Sequence, residues 1–200
     1  MVETMEINLN SEARTFAIKH HHPLQKYGEH DYVYHLDLVV VRINQFIDDL
    51  LKQDWAYEYR HHIFELRKEL NNAGYLHDLG EDSFTNYGDI KTSFGEFVAN
   101  IVYACTNEKG KTRSARRNDK FYLELAEQEF ATFVKLCDNI VNMEFSQQTG
   151  SSMFQKYLSE RDDLIRKATN FKRALSAIEL YLTNEAGKEL LNFNRKSVDA

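Results

Sequence analysis

Between residues 39 and 51 the apolar positions Val39, Ile43, Phe46, Ile47 and Leu50 recur every three or four residues, the stripe of an amphipathic helix. His35 falls in its first turns. The same period runs from Tyr59 through Ile63, Leu66 and Leu70 towards His77. From 80 to 106 the pattern reads as a turn, a short helix and a further helix ending near Thr106, with Gly80, Gly88 and Gly95 as punctuation. Phe121, Leu125, Phe130, Phe133, Val134, Cys137, Val141 and Met143 predict one long helix, which also carries Lys135, Asp138 and Asn142. The stripe from Phe154 through Leu164, Phe171 and Ile178 to Leu182 predicts a last long helix over 153–182. Strand alternation is absent from this reading, and the fold class it predicts is all-α.

Composition agrees. In 200 residues there are one proline and eight glycines, few breakers for helix interiors, and 42% hydrophobic residues suffice for one globular core. A single domain is expected, its core over about 15–183, with 184–200 as a tail or short helix. Cys105 and Cys137 form no C-x-x-C pair and read as reduced core residues. The N-terminal MVETMEINLN lacks the basic and apolar regions of a signal peptide, and no apolar run approaches membrane-span length, so a cytoplasmic protein without membrane partners is expected. A net charge of −6 argues against nucleic acid as a partner. Residues 109–120, KGKTRSARRNDK, depart from that balance, with six basic residues against one acidic. They read either as an exposed flexible loop or as an anion-binding one. Oligomeric state is left open.

The densest chemistry lies in LHDLGED, residues 76–82. In a helix His77 and Glu81 are four apart, as are Asp78 and Asp82, which crowds three carboxylates beside one imidazole. Like charges so close repel and raise one another's pKa unless a positive charge sits among them. A divalent metal would supply it; a solvated surface helix is the alternative reading of the segment alone.

Three ordered stretches carry more: HPLQKYGEHDYVYHLDLV at 22–39, AGYLHDLGED at 73–82 and VKLCDNIVNM at 134–143. With FGEFVANIVYACTNEKGKTRSARR and MFQKYLSE they resemble the HD-domain phosphohydrolases, specifically the hydrolase domain of the RelA/SpoT type and its small stand-alone relatives. The resemblance covers about residues 15–170 and implies a single HD-domain helical bundle. By matching positions it implies that His35, His77, Asp78 and Asp138 are metal ligands, with manganese the family's usual ion. Imidazole nitrogen with carboxylate oxygen suits such a first-row ion.

Glu81 and Asp82 would then handle the water, Glu81 as general acid or base and Asp82 orienting or sharing the proton, since a metal lowers the pKa of a water it holds. Cations must meet the phosphates. Lys26 and the basic segment, with Lys109, Lys111, Arg113, Arg116 and Arg117, are the available ones. Asn142 matches a position that would hold a ribose hydroxyl or a water beside the metal, and Tyr157 would flank the nucleotide.

The implied activity is removal of the 3′-pyrophosphate from guanosine tetra- or pentaphosphate, ppGpp or pppGpp, giving GDP or GTP and pyrophosphate. Two departures bear on it. Asp31 stands where the family commonly has the proline of Pro-Tyr, and Asn139 where it commonly has arginine, which removes a cation from that position. Alternatives are therefore the same site acting on another nucleotide (an adenosine alarmone, a nucleoside phosphate or NADPH) or a nucleotide-binding module without turnover. The segment between His35 and His77, which includes KQDWAYEYRHH, is longer here than is usual and reads as a lid or partner surface. The histidines at 20–22, 61 and 62 have no complementary carboxylate spacing and read as surface or packing residues.

Overall fold

The computed structural model describes residues 10–51, 59–107, 110–128 and 130–167, with the side chains of residues 49, 50, 82 and 114 outside that description. Among the described residues the architecture is a helical bundle with one two-stranded hairpin, as the all-α expectation requires. No described helix is long and apolar enough to cross a membrane.

Helix α1 (Glu12–His20) starts at Ser11, whose hydroxyl accepts from the Arg14 N–H, and Arg14 clamps it to α2 (Val33–Leu50) by a bidentate pair with Asp37 at 2.8 and 2.9 Å. Between them lies a hairpin that the helical pattern did not predict, β1 (Lys26–Tyr27) against β2 (His30–Asp31), with Tyr27 opposite His30. Gly28 makes its turn possible: its φ is +61°, and a Cβ there would come within 2.5 Å of the Phe145 ring. The hairpin seats Tyr27 between Phe145 and His35, ring centroids 4.2 and 4.7 Å away.

Residues 59–62 form one 3₁₀ turn leading into α3 (Ile63–Leu76); the segment 52–58, most of the suggested lid, lies outside the described residues. Gly74 lets α3 approach α2, because a Cβ on it would meet Ile43 Cδ1 at 2.6 Å and Val40 Cγ2 at 3.2 Å. Substituting Gly74 with alanine is expected to cost about 1–3 kcal/mol by overpacking. Chemical denaturation would read that loss as a lowered midpoint at unchanged slope; an unchanged midpoint would mean that the helices separate freely there.

Then follow α4 (Leu79–Asp82), α5 (Tyr87–Phe94) and α6 (Glu96–Cys105), the turn, short helix and further helix that the sequence predicts. The basic segment is not simply a loop: it contains the single turn α7 (Arg113–Arg116), capped by the Thr112 hydroxyl accepting from the Ala115 N–H.

The one long helix expected over 121–143 is two, α8 (Asp119–Glu127) and α9 (Ala131–Gln148). Gln128 is extended, and the Thr132 hydroxyl donates to the Leu125 carbonyl that the break exposes, at 3.0 Å. The reason is packing. α8 buries one face, Phe121, Tyr122, Leu125 and Ala126, whereas α9 is buried on every side from Ala131 to Val141 and packs against α2, α3, α6, α8 and α10 (Phe154–Lys167). A helix buried all round must run through the middle of the bundle, and a half-buried one must lie on its surface. The remainder of the predicted last helix, and the tail, lie outside the described residues. Both cysteines are buried and free, and burial pushes the Cys105 thiol up to about 12.

Candidate metal centre

Three segments deliver four side chains to one point. His35 projects from the first turn of α2, His77 and Asp78 occupy the junction between α3 and α4, and Asp138 lies midway along α9. One ligating atom from each lies within 4.8 Å of all the others. His35 Nε2 is 3.3 Å from Asp138 Oδ1 and 3.7 Å from Asp78 Oδ2; His77 Nε2 is 3.0 Å from Asp78 Oδ2 and 3.6 Å from Asp138 Oδ1.

Local folding sets the orientation. Helix α3 ends at Leu76, and the carbonyl of Gly74 accepts from His77 Nδ1 at 2.8 Å. A carbonyl only accepts, so Nδ1 carries the hydrogen and Nε2 is turned to the carboxylates, the arrangement usual in metal-ligating histidines. His77 Nε2 is buried without an aligned hydrogen bond. Two imidazole nitrogens and two carboxylate oxygens, nearly all removed from water, form a cluster that could bind a divalent metal.

Further side chains fix the carboxylates. The Tyr32 hydroxyl donates to Asp78 Oδ2 at 2.5 Å, and Asn142 Nδ2 donates to Asp138 Oδ1 at 2.6 Å while its own Oδ1 accepts from the Tyr27 hydroxyl at 3.1 Å. Lys135, 2% exposed, places Nζ 3.1 Å from Asp138 Oδ2 and 3.6 Å from Asp78 Oδ1. Burial works against each of these charges, but the opposite ones outweigh it: both aspartates are held well below the usual carboxylate range and Lys135 is raised. Burial also opposes charge on His77, yet Asp78 and Asp138 carry its pKa up to about 10.

In the metal-free protein His77 stays protonated below about pH 10, and a metal needs the Nε2 lone pair, so binding near neutral pH must expel a proton. Apparent metal affinity is therefore expected to rise with pH across the neutral range. Calorimetric titration in buffers of different ionisation enthalpy should show about one proton released; heats independent of buffer would contradict it.

No family model matches the chain.

Three of the four, His35, Asp78 and Asp138, line an open cleft of ≈ 270 Å³, and His77 beside them is fully buried. Glu81 stands on one wall, exposed, its Oε1 accepting from the Asn107 backbone N–H at 3.0 Å and from Asn107 Nδ2 at 2.5 Å. Arg113 and Arg116 of α7, with Arg117 at its C-terminal cap, form another with Tyr157, over whose ring the Arg113 guanidinium sits at 5.2 Å. Buried Glu160 accepts from Arg113 at 2.5 and 2.9 Å and pairs with Arg117 at 3.1 Å, and the Nε atoms of both Arg116 and Arg117 are buried without an acceptor. The wall is therefore positive.

Not every residue singled out in the sequence arrives there. Lys26 is half exposed and pairs with Asp31 across the hairpin at 2.5 Å, and neither it nor exposed Lys111 lines the cleft. The hairpin's outward register takes Lys26 away while bringing Tyr27 in. Lys109 and the Asp82 side chain lie outside the described residues, although the Asp82 backbone closes α4. Asn139 is buried and donates to the Tyr157 carbonyl at 3.1 Å, so it ties α9 to α10 and does not line the cleft. Of the remaining histidines, His20 stacks on Phe16 at 4.1 Å and His21 lies against Tyr32 at 4.7 Å, and none joins the four-residue set.

Sequence reasoning passed over Lys135, Tyr32, Tyr27 and Asn107. Two of them left a signal: Lys135, three residues before Asp138 on one helix face, and Tyr32, at the tyrosine of the Pro-Tyr position.

Proposed function

We propose that the chain is a metal-dependent phosphohydrolase of the HD-domain, RelA/SpoT-like type, acting on ppGpp or pppGpp to release pyrophosphate and GDP or GTP with Mn²⁺ as its ion. One observation carries this reading: the four residues that the resemblance marks as ligands, far apart in sequence, bring a ligating atom each within 4.8 Å of the others, and three of them line a cleft with an arginine-rich wall.

His35, His77, Asp78 and Asp138 would hold the ion, which when bound supplies Lewis-acid activation of water and of a phosphoryl oxygen. The chain's own groups do the rest. Glu81, anchored by Asn107 at the cleft wall, is positioned to take the proton of an attacking water. Arg116, whose Nε lacks an acceptor, and Arg113 and Arg117, held in place by Glu160, meet phosphate oxygens by charge-assisted hydrogen bonds. The Tyr157 ring offers a face beside them, and Asn142, occupied by Asp138 and Tyr27, holds a ligand carboxylate in position.

Product analysis on the metal-stripped protein with ppGpp, with and without Mn²⁺, tests the reading. GDP and pyrophosphate should appear only with the ion. If Mn²⁺ binds and ppGpp survives, the substrate is wrong, and the same assay run on adenosine alarmones, nucleoside phosphates and NADPH identifies the replacement.

A further inference from the structure

Each ligand carboxylate shows two different faces. Asp78 Oδ2 and Asp138 Oδ1 point to the imidazoles, at 3.0–3.7 Å, while the other oxygens, Asp78 Oδ1 and Asp138 Oδ2, both point to Lys135, at 3.6 and 3.1 Å. A single ammonium group thus bridges the two outer oxygens. It is almost fully removed from water and stands on the cleft lining beside the place where a metal would enter.

We infer that Lys135 is a built-in countercharge of the metal centre, clamping the outer oxygens of Asp78 and Asp138 so that each offers one oxygen, and competing electrostatically with the ion it helps to receive. The inference rests on the metal-binding part of the proposed function and not on any turnover. Two carboxylates this close repel strongly in a buried site, and Lys135 relieves that repulsion when no ion is present. Once a divalent cation sits among the same four ligands the relief is redundant, and the ammonium becomes a like charge a few ångströms away. Lys135 therefore stabilises the metal-free protein more than the metal-loaded one. The consequence is a centre that stays assembled without metal and lets its ion exchange.

The sign of that difference is testable without substrate. Lys135→Met, which keeps the length of the stem and removes the charge, should lower the melting temperature of the stripped protein, recover most of the loss with Mn²⁺, and bind Mn²⁺ about tenfold more tightly or better by calorimetry. Lys135→Arg should stay near the parent in all three. A Lys135→Met protein that folds only in the presence of Mn²⁺ would support the inference in its extreme form.

Equal or weaker Mn²⁺ binding by Lys135→Met, with a metal-induced shift in melting temperature no larger than the parent's, would overturn it. So would a variant, including the smaller Lys135→Gln, that stays unfolded whether or not Mn²⁺ is present, because that would mark a packing role. Failure of the proposed function looks different: ppGpp would survive while the order of Mn²⁺ affinities stood as predicted.

Discussion

Replacing Asp138 with alanine is expected to lower Mn²⁺ affinity by at least about 100-fold and to reduce ppGpp hydrolysis to background. The lower bound follows from the cost of losing even an outer hydrogen-bonding partner of a metal ligand, which is about 10–100-fold. Asp138 contributes more than such a partner. Its Oδ1 faces both imidazoles, its Oδ2 pairs with Lys135, and it sits on the helix buried on all sides. The alanine variant also leaves Lys135 with Asp78 as its one remaining carboxylate in the cluster, and breaking a buried charge network costs about 3–5 kcal/mol. Melting curves should therefore fall together with metal binding. Asp138→Asn keeps the shape and separates the two effects: its melting temperature should lie nearer the parent's while Mn²⁺ binding by calorimetry stays lost. Retained binding in both variants would remove Asp138 from the ligand set.

The second large effect is expected at Glu81. Glu81→Gln preserves an oxygen able to accept from the Asn107 backbone and side-chain N–H groups, so the side chain should stay where it is. What it loses is the ability to take a proton. General-base catalysis contributes about 10²–10⁴-fold, so kcat should fall by that factor while KM and Mn²⁺ affinity move little. Steady-state kinetics beside metal calorimetry reads all three. A fall in Mn²⁺ affinity instead would place Glu81 among the ligands, and an unchanged kcat would move the proton transfer to another group.

Much of the site was legible before any tertiary structure, in distinct ways. The all-α fold follows from three- and four-residue spacing and the scarcity of proline and glycine. The four ligand candidates came from the resemblance that short ordered motifs carry, HD at 77–78 and D-x-x-x-N at 138–142 among them, and not from any periodicity. Within a helix, spacing could name partners one turn apart, and this worked for Asp138 and Asn142, which hydrogen-bond at 2.6 Å. The same rule applied to LHDLGED assumed one continuous helix. In fact α3 stops at Leu76 and α4 starts at Leu79, so His77 and Asp78 turn inward at the junction while Glu81 stands on the cleft wall.

The errors share a cause. Lys26 was a cation in a matching motif, but hairpin register turned it outward to Asp31. Lys135 resembled any other lysine within a helical stripe until α9 proved buried on every side from Ala131 to Val141. The break at 128–130 left no glycine or proline to announce it, because the demand for it arises from where α8 and α9 lie in the bundle.

By itself, then, the sequence determined the all-α class and most of the helical segments from Val33 onward, and its family resemblance named the four ligand candidates, since period, propensity and motif are local properties of the chain. Tertiary structure alone decided that His35, His77, Asp78 and Asp138 meet within bonding reach of one ion, that Lys135 rather than Lys26 is the cation beside them, and that the α7 arginines close the cleft. Those outcomes depend on distances between residues far apart in sequence and on the exclusion of water around α9. Both properties exist only once the helices have packed.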